Sequence, residues 1–170
     1  MLIDDFSQSG LVSNLGTKWR GVSDQIMGGV SEASIGRECI GGRLCLRLTG
    51  NISLENSGGF IQASLDLAPE IGALDASRYA GIRLIARGND ERYAVHLRTH
   101  HCVRPWQSYR AEFTAGPEWK SFDLPFSKFI PHRIDADLDL ARLRRIGLVA
   151  IGREFDADLA ISKLEFYAED

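Results

Sequence analysis

Apolar and polar positions alternate with a period of two along most of the chain. The clearest alternations cover residues 43–49, 82–87 and 93–98. Because successive side chains of a strand point to opposite faces, each run predicts a β-strand with one buried face. The same pattern, bounded by glycine-rich turns, predicts further strands. They cover residues 30–36, 60–67, 109–113, 120–124, 146–151 and 159–166.

Many short strands without long alternating helices favour an antiparallel two-sheet sandwich over a parallel α/β sheet. Short helices are predicted only at residues 75–78 and 140–144, the second after Asp135, Asp137 and Asp139, whose carboxylates favour a helix N-terminus. The predicted fold is therefore an all-β antiparallel β-sandwich, one domain over residues 1–170, with one or two short helices. Its core is expected to include the side chains that share the two-residue period: Leu44, Leu46, Leu48, Ile82, Leu84, Val95, Leu97, Phe122, Leu148 and Phe166.

Composition narrows the class of protein. A length of 170 residues with 44% apolar content suits one domain with its own core. With 20 Lys and Arg against 23 Asp and Glu, the net charge of −3 excludes the broadly basic profile of a nucleic-acid binder and leaves room only for a local basic face. Acids stand near the N-terminus where a targeting peptide carries Lys or Arg, and no apolar run approaches the roughly 20 residues that span a bilayer. We expect a cytoplasmic protein with no transmembrane segment.

Three of the four histidines lie close together in the sequence, at His96, His100 and His101. If the strand continues through them, the Cα atoms of His96 and His100 are about 13 Å apart, which is too far for one metal ion. A metal site would require a break near Thr99 and ligands from elsewhere. We therefore expect a solvated strand and no bound metal.

Neither a disulfide framework nor a catalytic centre is indicated by sequence motifs. The cysteines are odd in number and scattered, without a C-x-x-C pair, at Cys39, Cys45 and Cys102. There is no G-x-S-x-G elbow, and nothing selects one pair of carboxylates for acid–base work. The expectation is a protein with reduced thiols, without a cofactor and without enzymatic activity.

The most unusual local sequence is W-R-G-V-S-D-Q-I-M-G-G-V-S at residues 19–31. Gly28 and Gly29 permit positive φ and close backbone approach, while Asp24 can accept hydrogen bonds from nearby amides. The segment lacks the lysine and the following helix of a phosphate-binding loop. Two interpretations stay open: a binding loop, or a structural loop in which Asp24 satisfies amides and Trp19 closes the core.

The segment at residues 104–113 mixes arginines, aromatic side chains and an amide. Aromatic faces and forked guanidinium donors suit recognition, whereas the alternative is a hairpin with Trp106 packed under a loop. Because the loops of a sandwich cluster at its ends, we predict that this segment and residues 19–31 form one working surface. The predicted ligand- or partner-binding residues are Trp19, Asp24, Met27, Gly28, Gly29, Arg98, Thr99, Trp106 and Tyr109.

Several blocks in order along the chain carry a family resemblance. They are residues 19–31, 56–60 (N-S-G-G-F), 81–84, 93–99, 109–113 and 119–129 (W-K-S-F-D-L-P-F-S-K-F). Together they resemble the complex I intermediate-associated protein 30 family over nearly the whole chain. The resemblance implies a galactose-binding-like jelly-roll sandwich. Eukaryotic members act as assembly factors for the mitochondrial NADH:ubiquinone oxidoreductase, and this chain is similar to a stand-alone bacterial-type member.

The resemblance and the residues together give three functional hypotheses. The first is a non-catalytic binding, assembly or chaperone module that holds a protein partner, such as a respiratory-complex assembly intermediate. The second is a carbohydrate or small-ligand module, and the third is an enzyme without a recognisable motif. An exposed apolar patch favours the first, a concave pocket with convergent polar groups the second, and a pocket with perturbed acids the third.

Overall fold

The computed structural model describes residues 1–169, apart from the side chain of Ser57. Within this range the strands are β1 Leu2–Asp4, β2 Arg20–Ser23, β3 Ser34–Ile40, β4 Arg43–Ile52, β5 Phe60–Asp66, β6 Gly81–Arg87, β7 Glu91–Thr99, β8 Ser108–Ala115, β9 Lys120–Pro125, β10 Ile130–His132, β11 Leu143–Ile151 and β12 Phe155–Tyr167. Short 3₁₀ helices cover Asp24–Met27, Glu55–Ser57, Phe126–Lys128 and Leu140–Arg142. None of the helices in the described range has the length and apolarity that a bilayer crossing requires.

The strands form two six-stranded sheets with antiparallel pairing throughout. The first sheet has the order β3-β4-β12-β6-β9, and β1 also pairs with β12. The second sheet has the order β10-β8-β7-β11-β5-β2. The predicted antiparallel β-sandwich is confirmed.

The core between the sheets follows the two-residue period. Nearly all of the predicted core residues are buried: Leu46, Leu48, Ile82, Leu84, Val95, Leu97, Leu148 and Phe166. Phe122 is partly buried and packs against the same cluster. The prediction for Leu44 is wrong, since this side chain is 42% exposed. It lies beyond Leu46, where the pairing of β4 with β12 ends, and only the edge strand β3 flanks it there.

The predicted strand at residues 30–36 is displaced along the chain. The strand found there is β3, Ser34–Ile40. Its start is delayed because the preceding backbone is committed to other partners: the amide of Ser31 donates to Asp24 and the amide of Glu32 donates to the carbonyl of Asn51. The other predicted strands coincide with β5, β8, β9, β11 and β12, which extend further at one or both ends except at β5.

The two predicted helices have different outcomes. Residues 75–78 form a turn rather than a helix, because the carboxylate of Asp75 accepts hydrogen bonds from the amide and hydroxyl of Ser77. The predicted helix at residues 140–144 is a single 3₁₀ turn, Leu140–Arg142. Asp139 caps it by accepting a hydrogen bond of 3.1 Å from the amide of Ala141, as the helix-start interpretation requires.

Candidate functional site

A groove of about 550 Å³ crosses the outer face of the second sheet. Its floor is built from strand residues whose neighbours in sequence point into the core, as Leu97 and Ile146 do. The floor residues on β2, β5, β7, β8 and β11 are Arg20, Val22, Phe60, Gln62, Ser64, His96, Arg98, Ser108, Arg110, Arg145, Gly147, Val149 and Ile151. Sheet order therefore brings together side chains that are far apart in the sequence.

The strand register places two loops at opposite ends of this groove. Ser23 pairs with Ile61, and Ile151 pairs with Phe60, so the 3₁₀ helix Asp24–Met27 lies at one end. Arg98 pairs with Arg145, and the loop at residues 100–107 follows at the other end. The two segments predicted to work together thus line one groove from opposite ends of a sheet face, and they do not cluster at one end of the sandwich.

The groove has an apolar end and a cationic end. At the apolar end, Ile26 is 70% exposed and Met27 is 49% exposed, beside Val149 and Ile151. At the cationic end, which Arg98 and Arg145 form, Trp106 is 47% exposed and therefore is not packed under its loop. Such a groove can take an elongated molecule with both apolar and charged groups.

The carboxylate of Asp24 organises the loop at the apolar end. It is completely buried and accepts hydrogen bonds from the amide of Ser31 at 2.9 Å, the amide of Gly59 at 2.5 Å and the amide of Phe60 at 3.2 Å, and from the Ser31 hydroxyl. Burial alone would raise the pKa of Asp24, but these hydrogen bonds together hold the pKa below its usual value. The structural interpretation of Asp24 therefore fits its environment.

Gly28 and Gly29 make this loop possible. Gly28 has φ of 86°, in the left-handed region, and it ends the 3₁₀ helix. A Cβ atom at Gly29 would overlap the carboxylate of Asp24. Both glycines thus serve the loop geometry, and Met27 is the predicted binding residue of this segment that faces the groove.

Trp19, Thr99 and Tyr109 point into the protein and present almost no surface to a bound molecule. The Trp19 indole N–H donates to the carboxylate of Asp4 at 2.8 Å, and burial raises the pKa of Asp4. The Tyr109 hydroxyl donates to the carbonyl of Ala136 at 2.5 Å, and the Thr99 hydroxyl accepts from the amide of His101 at 3.2 Å. These three residues therefore have structural roles and do not line the groove.

The guanidinium of Arg98 organises the loop at the cationic end. One of its nitrogens donates to the carbonyls of Arg104, Pro105 and Gln107 at 3.0 to 3.1 Å, and another donates to the carbonyl of Cys102 at 3.0 Å. Burial, with a further contribution from neighbouring arginines, lowers the pKa of Arg98. Arg98 therefore shapes the groove and contributes positive charge to it.

His96 lies on the groove floor without adding charge. Burial lowers its pKa to about 3, and Arg110 and His132 push it in the same direction. The imidazole is neutral at physiological pH. The cationic character of the groove therefore comes from its arginines.

His100 and His101 depart from the continuous strand predicted from the sequence, because β7 ends at Thr99 and both residues lie in a turn. The rings of His100 and His101 are 3.9 Å apart, and Asp139 approaches His100 Nδ1 to 3.5 Å. The ligand atoms of these three residues lie within 4.8 Å of one another. The distance predicted between His96 and His100 therefore does not bear on a site formed by His100, His101 and Asp139 in the turn.

Sequence reasoning missed much of the groove floor, including Phe60, Gln62, Arg110 and Ile151. One signal was present: residues 146–151 form an almost continuous apolar run, which is typical of a strand covered on both faces. Val149 and Ile151 are the apolar side chains that this strand turns to the groove. An outward apolar face on a central strand indicates a binding surface or a further layer.

Comparisons with known proteins identify both a family and a fold. The sequence profile described as complex I intermediate-associated protein 30 matches residues 5–161. No curated protein sequence matches the chain significantly.

Solved structures that resemble this one include carbohydrate-binding modules from Clostridium thermocellum. A family 11 module of a cellulosomal cellulase superposes with a TM-score of 0.76 at 14% identity, covering 99% of this chain and 94% of that chain. A family 30 module of another cellulosomal cellulase gives a TM-score of 0.71 at 15% identity, covering 100% of this chain and 99% of that chain. Another family 11 structure, in complex with a β-1,3-1,4-mixed-linked tetrasaccharide, gives 0.74 at 14% identity, covering 98% of this chain and 94% of that chain. These likenesses show the jelly-roll sandwich fold.

Proposed function

We propose a function from one premise: the chain belongs to the complex I intermediate-associated protein 30 family. The protein is a non-catalytic assembly module that holds part of a protein partner in the groove. The partner class that the family description suggests is an intermediate of respiratory complex I.

The observation that carries this proposal is the exposed apolar rim of the groove. Ile26, Met27 and Trp106 stand at its two ends with about half or more of each side chain in solvent. Methionine and aromatic residues are enriched at protein interfaces, and tryptophan is over-represented among the residues that dominate binding. Exposed apolar side chains at both ends of a floor that carries apolar and cationic groups suit a protein segment laid along the sheet.

The chemistry of the groove also favours binding over catalysis. Its lining, within residues 1–169, contains no Asp or Glu, and His96 is neutral. The perturbed pKa values of Asp4 and Asp24 belong to carboxylates already engaged by Trp19 and by the 24–31 loop. The acid and base that hydrolysis or proton transfer requires are thus not paired on this floor.

Affinity capture from the native host, followed by mass spectrometry and native-gel migration, tests the proposal. The wild type is expected to retain a partner that Met27→Glu and Trp106→Ala lose. The control is Val103→Ala, because Val103 is exposed but does not line the groove. All variants should melt near the wild-type temperature. Retention of the partner by both groove variants would refute the proposal.

A second candidate function is carbohydrate binding. Trp106 offers an aromatic face in a groove on a fold shared with carbohydrate-binding modules. Neutral sugars, however, present hydroxyl groups that need acceptors as well as donors, and the groove is rich in donors. Calorimetric titration with a β-1,3-1,4-mixed-linked tetrasaccharide separates the two functions. Saturable binding that Trp106→Ala abolishes would replace the partner hypothesis with the carbohydrate one.

A further inference from the structure

The groove concentrates positive charge on a protein whose net charge is −3. Its lining contains four arginines, Arg20, Arg98, Arg110 and Arg145. A carboxylate just outside the lining, Asp66, compensates two of them: it lies 2.8 Å from Arg145 and 3.4 Å from Arg20.

The remaining pair, Arg98 and Arg110, has no such compensation. Within the part of the chain that the structure describes, no carboxylate lies within ion-pair distance of either guanidinium. Arg98 donates to backbone carbonyls, and Arg110 donates to the Ser108 hydroxyl at 2.8 Å. Burial is the main cause that lowers the pKa of both arginines, and it shows that their charges are held partly out of water.

Half-buried guanidinium groups without a counter-charge are stabilised when an anion joins them. A carboxylate matches the forked donors of arginine in two parallel hydrogen bonds, which are stronger than neutral ones. The strand register places Arg110 beside His96, and His96 beside Gly147. The charge of Arg110 therefore lies in the middle of the floor. An anionic group seated there would touch the floor and not merely the rim.

We propose that the groove recognises an extended acidic segment of the protein partner, with carboxylates against Arg98 and Arg110 and apolar side chains against Ile26 and Met27. This inference rests on the proposed function. The dimensions agree: from Arg145 to Ile151 the floor extends six residue steps, or about 20 Å, which an extended peptide of about seven residues spans. Charge and apolar surface are separated along that length.

A peptide fits these features better than a saccharide does. The exposed Ile26 and Met27 offer aliphatic surface, which complements apolar side chains, whereas sugar rings stack on flat aromatic faces. Nucleic acid would also satisfy arginines, but successive bases stack on several aromatic side chains. Among the described residues that line this groove, Trp106 is the one exposed aromatic side chain.

The test measures fluorescence polarisation with a labelled peptide of four apolar residues followed by four glutamates, its reversed sequence, and forms with glutamine in place of glutamate. Wild-type protein is expected to bind one glutamate form at least about tenfold more tightly than its glutamine form. Arg110→Gln should remove that preference. The matched control is Arg92→Gln on β7, because Arg92 is exposed and pairs with Glu112 outside the groove.

Each outcome decides the inference. Equal binding of glutamate and glutamine peptides, or no binding of either, overturns it. Arg110-dependent binding of oligogalacturonate without peptide binding overturns it in favour of an acidic saccharide. In the capture experiment, a partner lost by Trp106→Ala but kept by Arg110→Gln overturns the acidic segment alone. A partner kept by Met27→Glu and Trp106→Ala refutes the proposed function instead.

Discussion

Two loops flank the groove, and each is ordered by one charged side chain. Asp24 gathers amide donors from Ser31 and residues 59–60 around a carboxylate. Arg98 gathers carbonyl acceptors from residues 102–107 around a guanidinium. The two arrangements have opposite hydrogen-bond polarity, and both hold irregular backbone at the ends of strands of the second sheet.

The loops differ in what their central charges leave unused. Asp24 is fully buried, and its hydrogen bonds outweigh the cost of burial enough to lower its pKa. Arg98 is half-buried, is bonded to neutral carbonyls and lies near Arg144 and Arg145, and its pKa falls because burial disfavours its charge. The hydrogen bonds of Asp24 are supplied by its own loop and by residues 59–60, so its charge is structural. The charge of Arg98 also lines the groove, where it is available to a bound molecule.

The largest expected effect is that of Asp24→Ala. The substitution leaves the amides of Ser31, Gly59 and Phe60 without an acceptor, and each such loss costs about 1 to 3 kcal/mol. We expect the free energy of unfolding, measured in urea at neutral pH, to fall by at least about 3 kcal/mol. The control is Asp75→Ala, which removes similar local bonds to Ser77 from an exposed turn and should change stability little. Equal stability of the two variants would contradict the structural role of Asp24.

The pH dependence of that loss has a definite sign. Because the pKa of Asp24 is lower in the folded protein than its usual 3.8, its contribution is complete well above that value and is lost as the pH falls through the folded pKa. The stability difference between wild type and Asp24→Asn should therefore shrink on acidification. The pKa of Asp4 is raised in the folded protein, so protonation of Asp4 favours the folded state. Wild type should therefore gain stability relative to Asp4→Asn as the pH falls through the acidic range. The same direction for both pairs would contradict these assignments.

A smaller loss is expected for Gly29→Ala. The added methyl group overlaps the Asp24 carboxylate, and the loop must shift to admit it. We expect about 1 to 3 kcal/mol of destabilisation by thermal or urea unfolding. Gly36→Ala is the matched control, because a Cβ atom there meets nothing within 4 Å. If both variants are as stable as wild type, the loop does not depend on close approach to Asp24.

Arg98→Gln should cost less, about 1 to 2 kcal/mol, because the carbonyls that it releases lie near solvent and can bond to water. The decisive measurement is hydrogen exchange, where the amides of residues 102–104, 106 and 107 should exchange faster while those around Asp24 keep their protection. Arg104→Gln, an exposed change in the same loop, controls for charge. Unchanged exchange in residues 102–107 would show that Arg98 does not order them.

The sandwich was predictable because its physics is local: a strand with one buried face repeats every two residues, as β6 and β7 do. Leu44 shows the limit of this rule, since its exposure depends on where β12 stops pairing with β4. The late start of β3 likewise depends on Asp24, whose other partners, Gly59 and Phe60, lie some 35 positions along the chain. The local sequence pattern therefore predicts neither the exposure of Leu44 nor the late start of β3.

The candidate site was predictable only in part. Met27, Arg98 and Trp106 do line one groove, but the sheet order that unites them with Arg110 and Val149 cannot be read from spacing. The partners of Arg98 are backbone carbonyls, which every residue carries, so no sequence motif marks them. The burial of Trp19 and Asp24 agrees with the structural alternative that the sequence left open.

The smallest effect is expected from treating the protein with a metal chelator. This measurement tests whether Arg98 alone holds the loop at residues 100–107. His100, His101 and Asp139 offer three donors at a surface turn, whereas structural zinc sites use four ligands. The turn is also closed by the chain itself, since the amide of Cys102 donates to the carbonyl of Thr99 at 3.0 Å. Dialysis against a chelator should therefore shift the melting temperature by less than about 1 °C, and His101→Ala should behave in the same way. A drop of several degrees, reversed by adding zinc and absent in His101→Ala, would show that an ion shares the work of Arg98.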